Sequence, residues 1–135
     1  MKNNKAVSLA KLLLIVHGLV TVGYAGTLLF NPANVAEYMG LMIATPDGRT
    51  ELITMYVGMS GTMAFFMLYG AFNRNWLHQA TLFLFLSMSG IAIGRAFGFV
   101  FFETSSYTLN ALYYDIPVAL LSWVAYLQLQ KTATV

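Results

Sequence analysis

Two ionisable side chains stand where the sequence is otherwise apolar. Arg95 lies within "SGIAIGRAFGFVFF", residues 89–102, and Asp115 within "YYDIPVALL". A guanidinium and a carboxylate in apolar surroundings can neutralise each other, or hold the polar end of a ligand. Further polar residues on apolar stretches are His17, Tyr24, Glu51, Tyr56, Glu103, Tyr113 and Tyr114. His17, Thr21 and Tyr24 follow at spacings of four and three, along one side of a helix. His78 falls at a different depth from His17, so two-histidine ligation is not expected, and neither metal nor cofactor is predicted. The chain has no cysteine, which removes disulfides, thiolate nucleophiles and thiolate-bound metals. No catalytic residue is marked: there is no histidine cluster, no paired carboxylates and no soluble loop for a nucleophile and base.

The elements that position these residues follow from composition. Of 135 residues, 59% are hydrophobic and 9% charged, with a mean hydropathy of +0.69. Soluble domains carry roughly 25% charged residues. A soluble fold of this size exposes too much of its surface to hide so many apolar groups. The chain therefore reads as an integral membrane protein. A net charge of +2 without a basic face gives no reason to expect nucleic acid.

Four stretches reach spanning length, about 20 mostly apolar residues. They cover 6–30, 50–72, 77–102 and 108–129. The first is too long for the apolar core of a signal peptide and reads as a retained helix. Asn31 and Pro32 end it, "ANVAEYMGLM" is expected to form a short interfacial helix, and "TPDG" is expected to turn. "NRNW" and "TSSY" are so short that the helices they join must be antiparallel neighbours. The predicted fold is thus an all-α integral membrane four-helix bundle, up-down-up-down, in one domain over 1–135, with the interfacial helix between spans one and two. Cytoplasmic placement of the N-terminus puts Lys2, Lys5, Lys11, Arg74 and Lys131 inside and Arg49 outside, a five-to-one bias. Both termini are expected in the cytoplasm.

Depth then selects partners. Arg95 lies roughly 12 Å below the outer end of the third span, and Asp115 roughly 10 Å below the start of the fourth. Antiparallel neighbours bring the two to nearly one level, so an Arg95–Asp115 pair is predicted, with Glu51 as a further acceptor for the guanidinium fork. Tyr24, Tyr56 and Tyr114 fall in the same outer half, and His17 near the middle. Gly90, Gly94 and Gly98 repeat at four-residue intervals, and Gly58 and Gly61 offer a similar surface on the second span. Such ladders let helix backbones approach closely, within one bundle or between copies.

The segments "YAGTLLFNPANVAEYMGL", "ELITMYVGMSGTMAFF", "GIAIGRAFG" and "YYDIPVALL" resemble the domain-of-unknown-function 4345 family. These are small four-span bacterial membrane proteins, and the resemblance covers most of the chain. It implies residence in the bacterial cytoplasmic (inner) membrane. It also implies a tyrosine–glycine stretch in span two, a glycine–arginine in span three and an acid in span four. Tyr56, Gly58, Gly94, Arg95 and Asp115 occupy those places, aspartate standing where glutamate is the more usual acid. The family brings no established activity.

Two functions stand at the front. One is a non-enzymatic bundle that binds a small hydrophobic or amphipathic molecule, such as a membrane lipid, in an outer-half pocket around Arg95 and Asp115. The other is an accessory or scaffold subunit whose glycine faces dock on a larger membrane complex or on its own copies. A small membrane enzyme ranks behind both. The ion pair itself has two readings, as a lock on helix register and as part of a ligand pathway.

Overall fold

The computed structural model describes residues 2–102 and 106–133. Glu103 and part of the "TSSY" connection lie outside the described residues. The fold is all-α, with no strand among the described residues. Its elements are α1 (Lys2–Phe30), α2 (Pro32–Tyr38), α3 (Pro46–Ile53), a π-helical segment (Thr54–Met59), α4 (Ser60–Phe72), α5 (Leu77–Phe101) and α6 (Ser106–Ala133).

Local chemistry sets the boundaries. Asn31, in a non-helical conformation before Pro32, separates α1 from α2. The expected short helix is there and ends in a Schellman motif. Leu41 N–H reaches the Ala36 carbonyl at 2.8 Å and Gly40 N–H that of Glu37 at 2.9 Å, with Gly40 at φ +74°. "TPDG" departs from the expected turn and opens α3. Thr45 accepts from the Gly48 N–H at 3.1 Å, Pro46 occupies the first turn, and Asp47 favours the positive helix end. The second long helix therefore begins at Pro46, four residues before the expected start. In "NRNW", the Asn73 side chain accepts from the Asn75 N–H at 3.1 Å and turns the chain directly into α5.

Among the described residues, three stretches are long and apolar enough to cross a membrane: Lys5–Phe30, Pro46–Phe72 and Leu77–Phe101. With its 28 residues, α6 has the length, but Asn110, Asp115, Ser122, Gln128 and Gln130 dilute it, and it is not among them.

Contacts run in a ring, α1 with α4, α4 with α5, α5 with α6 and α6 with α1. One core gathers Ala6, Ala10 and Leu14 of α1, Met67 and Ala71 of α4, Leu77, Ala80 and Leu84 of α5, and Ala125 and Leu129 of α6. A second joins Leu28, Ala36 and Leu52 where α1, α2 and α3 meet. Leu14 and Leu28 are separated by roughly 21 Å of helix. His17, Thr21 and Tyr24 occupy that interval.

The π-helical segment makes these two cores compatible. On an unbroken α-helix, Leu52 would lie about 60–120° from the face of Ala64, Met67 and Ala71. One extra residue in the turn rotates the upstream part by about 100° and brings Leu52 within about 40° of that face. All four residues are in fact buried.

The close-approach glycines differ from those the spacing suggested. At Gly58, Gly61, Gly90, Gly94 and Gly98 an added Cβ would meet nothing within 4 Å, so these ladders pack against no other helix of the chain among the described residues. The tight contacts are at Gly18, where a Cβ would lie 2.9 Å from the Leu68 side chain, and at Gly70, where it would collide with Ala80 Cβ and stand 3.2 Å from the Trp76 carbonyl. Lipid is as apolar as the protein interior, so such packing, more than hydrophobic burial, holds membrane helices together.

Two predictions follow from this geometry. Gly70→Ala should lower stability by about 1–3 kcal/mol through overpacking, whereas Gly94→Ala should leave it unchanged or slightly raised. Thermal unfolding in detergent compares them. Deleting Gly58 should close the π turn into α-helix and keep Leu52 on the face of Met67 and Ala71, while deleting Phe65 from α4 should turn either Ala64 or Met67 off that face. Cysteine cross-linking of α1 to each half of the second long helix should separate the two outcomes.

Candidate functional site

The interval between the two cores holds the polar residues. From α5, Arg95 reaches α6, where its Nε lies 2.9 Å from Asp115 Oδ2. The Nε–H is not aimed at that oxygen as a hydrogen bond requires, so the contact is an electrostatic one. The Asp115 side chain is 8% exposed and that of Arg95 is 28% exposed. The carboxylate is enclosed and the guanidinium stays partly open. The Tyr107 ring, from the first turns of α6, stands 5.4 Å from Arg95 Cζ and adds a cation–π contact.

Tyr114 and Asp115 are consecutive, and each serves a different helix. About 100° separates them around α6. While Asp115 meets α5, the Tyr114 hydroxyl lies 2.7 Å from His17 Nδ1 on α1, with the two rings stacked at 5.8 Å. The hydroxyl donates when that nitrogen is bare and accepts when it carries the proton. His17 is buried and has a hydrogen-bond partner in α6. Thr21, expected on the same side, bonds its own helix at the His17 carbonyl, 2.8 Å away.

Tyr24 closes the outer edge. Its hydroxyl donates to Met39 Sδ at 2.8 Å, tying α1 to the end of α2. Tyr107, Tyr56 and Arg95 all lie within electrostatic range of it. Tyr56 is half-buried and sits in the π-helical segment, a distortion that often accompanies functional sites. Tyr38 of α2 meets Tyr107 edge-on at 5.4 Å.

Thus Arg95, Asp115, His17, Tyr114, Tyr24 and Tyr56 come together from α1, the π segment, α5 and α6. Glu51 does not join them. It stands exposed on α3, and Arg95 pairs with Asp115 alone among the described residues. Tyr113 is 79% exposed and faces away. Tyr107 and Met39 are the members that the sequence reading missed. For Tyr107 a signal existed: positions 107, 111, 114 and 115 fall on one helix face. Met39 had none, because its place depends on how α2 folds back.

A concavity of about 380 Å³ lies elsewhere, at the junction of α1, α2 and α3. Phe30, Asn31, Pro32, Ala33, Asn34, Ile43 and Arg49 line it, and none of the predicted site residues does.

A family model described as "Domain of unknown function (DUF4345)" matches residues 9–132. The chain belongs to that family. The DUF4345 match takes in every residue of the polar cluster, from His17 to Asp115. No curated protein and no solved structure matches the chain.

The different enclosure of the two charges gives an asymmetric prediction. Arg95→Met strands the enclosed Asp115 and should destabilise by about 3–5 kcal/mol. Asp115→Asn leaves an arginine that can snorkel, and should destabilise by about 1–3 kcal/mol. The Arg95→Met/Asp115→Asn double variant should lose less than the sum. Unfolding of the four proteins in detergent provides the cycle, and strict additivity would show the contact to be energetically idle.

Proposed function

We propose that this protein is a four-span bundle of the bacterial cytoplasmic membrane, up-down-up-down with both termini inside, which binds an uncharged amphiphile at the Arg95 cluster. The spanning arrangement is supported by the three apolar helices, the length of α6, the five-to-one distribution of basic residues, and a core that gathers the starts of α1 and α5 with the ends of α4 and α6. In that arrangement the cluster lies in the outer half of the bilayer.

The observation that carries the binding reading is the partly open guanidinium of Arg95, held against an enclosed carboxylate beside glycines with open space over them. Gly94 and Gly98 leave room along α5 for an acyl chain, while Arg95 and the tyrosine hydroxyls offer hydrogen bonds to a head group. Arg95 and Asp115 cancel in charge. A head group with net charge would add an uncompensated ion to apolar surroundings, which is heavily penalised. The favoured ligand is therefore uncharged and accepts hydrogen bonds.

The open glycine face also supports a second reading, as a surface for another copy or for a larger membrane complex. The two readings differ in what travels with the purified protein.

Native mass spectrometry of protein reconstituted with monoolein or with oleate makes the test, since the two share a chain and differ in head-group charge. Wild type should retain monoolein over oleate, Arg95→Gln should lose it, and Asp115→Asn should shift the preference toward oleate. A well-folded wild type that retains neither contradicts the binding reading. A discrete oligomer lacking both ligands would favour the assembly reading.

A further inference from the structure

We infer a second, separate site at the junction of α1, α2 and α3, built for the phosphate of a phospholipid head group. The site is the concavity of about 380 Å³ described above, a volume in the range of small-molecule sites. Its lining divides by chemistry. Phe30, Pro32 and Ile43 are apolar, whereas Asn31, Asn34 and Arg49 carry donors. One guanidinium and two carboxamides beside apolar groups suit a phosphate ester whose chains continue into hydrocarbon.

Three observations favour that occupant. Phe30 is the last residue of the first apolar helix and is 81% exposed, so the concavity straddles the change from apolar to polar sequence. On the spanning arrangement proposed above, which this inference requires, that level is the outer membrane interface. Asn31 precedes α2 in the capping position, yet its side chain makes no capping hydrogen bond. Its carboxamide is not committed to the helix, and α2, at seven residues, is too short to contribute a dipole of its own. Arg49 makes no ion pair among the described residues. Its acidic neighbours in α3, Asp47 and Glu51, lie about 200° around the helix from it, on the far side. The cation is therefore not neutralised locally. A phosphate supplies the charge that would balance it.

This site is independent of the Arg95 cluster, and its test separates the two. Delipidated protein is incubated with dioleoyl phosphatidylglycerol or with dioleoylglycerol, which has the same chains and no phosphate, and retained lipid is counted by native mass spectrometry. Wild type should retain phosphatidylglycerol in a form that depends on Arg49, whereas any dioleoylglycerol it keeps at the Arg95 cluster should be indifferent to Arg49→Gln. Arg49→Gln should lower retention on the order of ten-fold, the effect of losing a charge-assisted contact, and Arg49→Lys should lower it less. Arg74→Gln, an exposed arginine at the opposite end of the chain's fold, should change nothing. Equal losses in Arg49→Gln and Arg74→Gln would reveal only annular lipid and overturn the site. So would full retention in Arg49→Gln. Competition by soluble glycerol 3-phosphate at equal concentration would overturn the lipid assignment in favour of a phosphate from water. Binding of monoolein at the Arg95 cluster should be unaffected by Arg49→Gln, so either proposal can fail alone.

Discussion

Asp115 sets a condition that the rest of the polar cluster has to meet. A carboxylate enclosed among apolar side chains stays ionised only beside a cation, and Arg95 is the cation that reaches it. That requirement fixes the rotation of α6 against α5. It also fixes where Tyr114 points, because the next position on the helix is about 100° away. With Asp115 turned to α5, Tyr114 meets His17 on α1. One dipeptide therefore ties α6 to both of its neighbours in the ring. Apolar packing alone would specify this poorly, since a lipid-facing Leu and a core Leu have nearly the same surroundings.

That equivalence explains which features were legible in the sequence. Helix positions were readable, because spanning length and the stops at Asn31–Pro32 and "NRNW" are local signals. The Arg95–Asp115 contact was readable too, because depth along two antiparallel helices is a matter of counting residues. Which side of a helix faces its neighbours was not. Gly90, Gly94 and Gly98 have the spacing of a packing ladder and open space over them, while Gly18 and Gly70, in no ladder, make the close approaches. Spacing reports that residues share a face, and cannot report what that face meets. Where polarity does not alternate, nothing in the sequence marks inside from outside.

The second long helix carries the least legible feature. No residue in "TMYVGM" announces a π-helical turn, and the segment reads as ordinary apolar helix. Its reason lies in the distance between two cores. Leu52 must join Leu28 and Ala36, while Met67 and Ala71 must join the core at the other end, and both groups pack near α1. A straight α-helix cannot present both sets to one neighbour, so the extra residue absorbs the mismatch. The turn falls beside the polar cluster, and Tyr56 enters the cluster from it.

The same reasoning accounts for the absence of Glu51 from the cluster. It lies in α3, one residue before Leu52, and Leu52 is committed to the outer core. With that side chain turned inward, the preceding position is carried about 100° round the helix, and Glu51 is exposed. Moving Glu51 toward Arg95 would expose Leu52 and break its contacts with the end of α1. The polar network is thus limited by apolar packing one residue away. Among the described residues Arg95 is left with a single carboxylate, and the two charges cancel. Under the binding role proposed above, that balance sets the ligand: a second acid would make the cluster anionic and suited to a cation, whereas a matched pair favours a neutral head group.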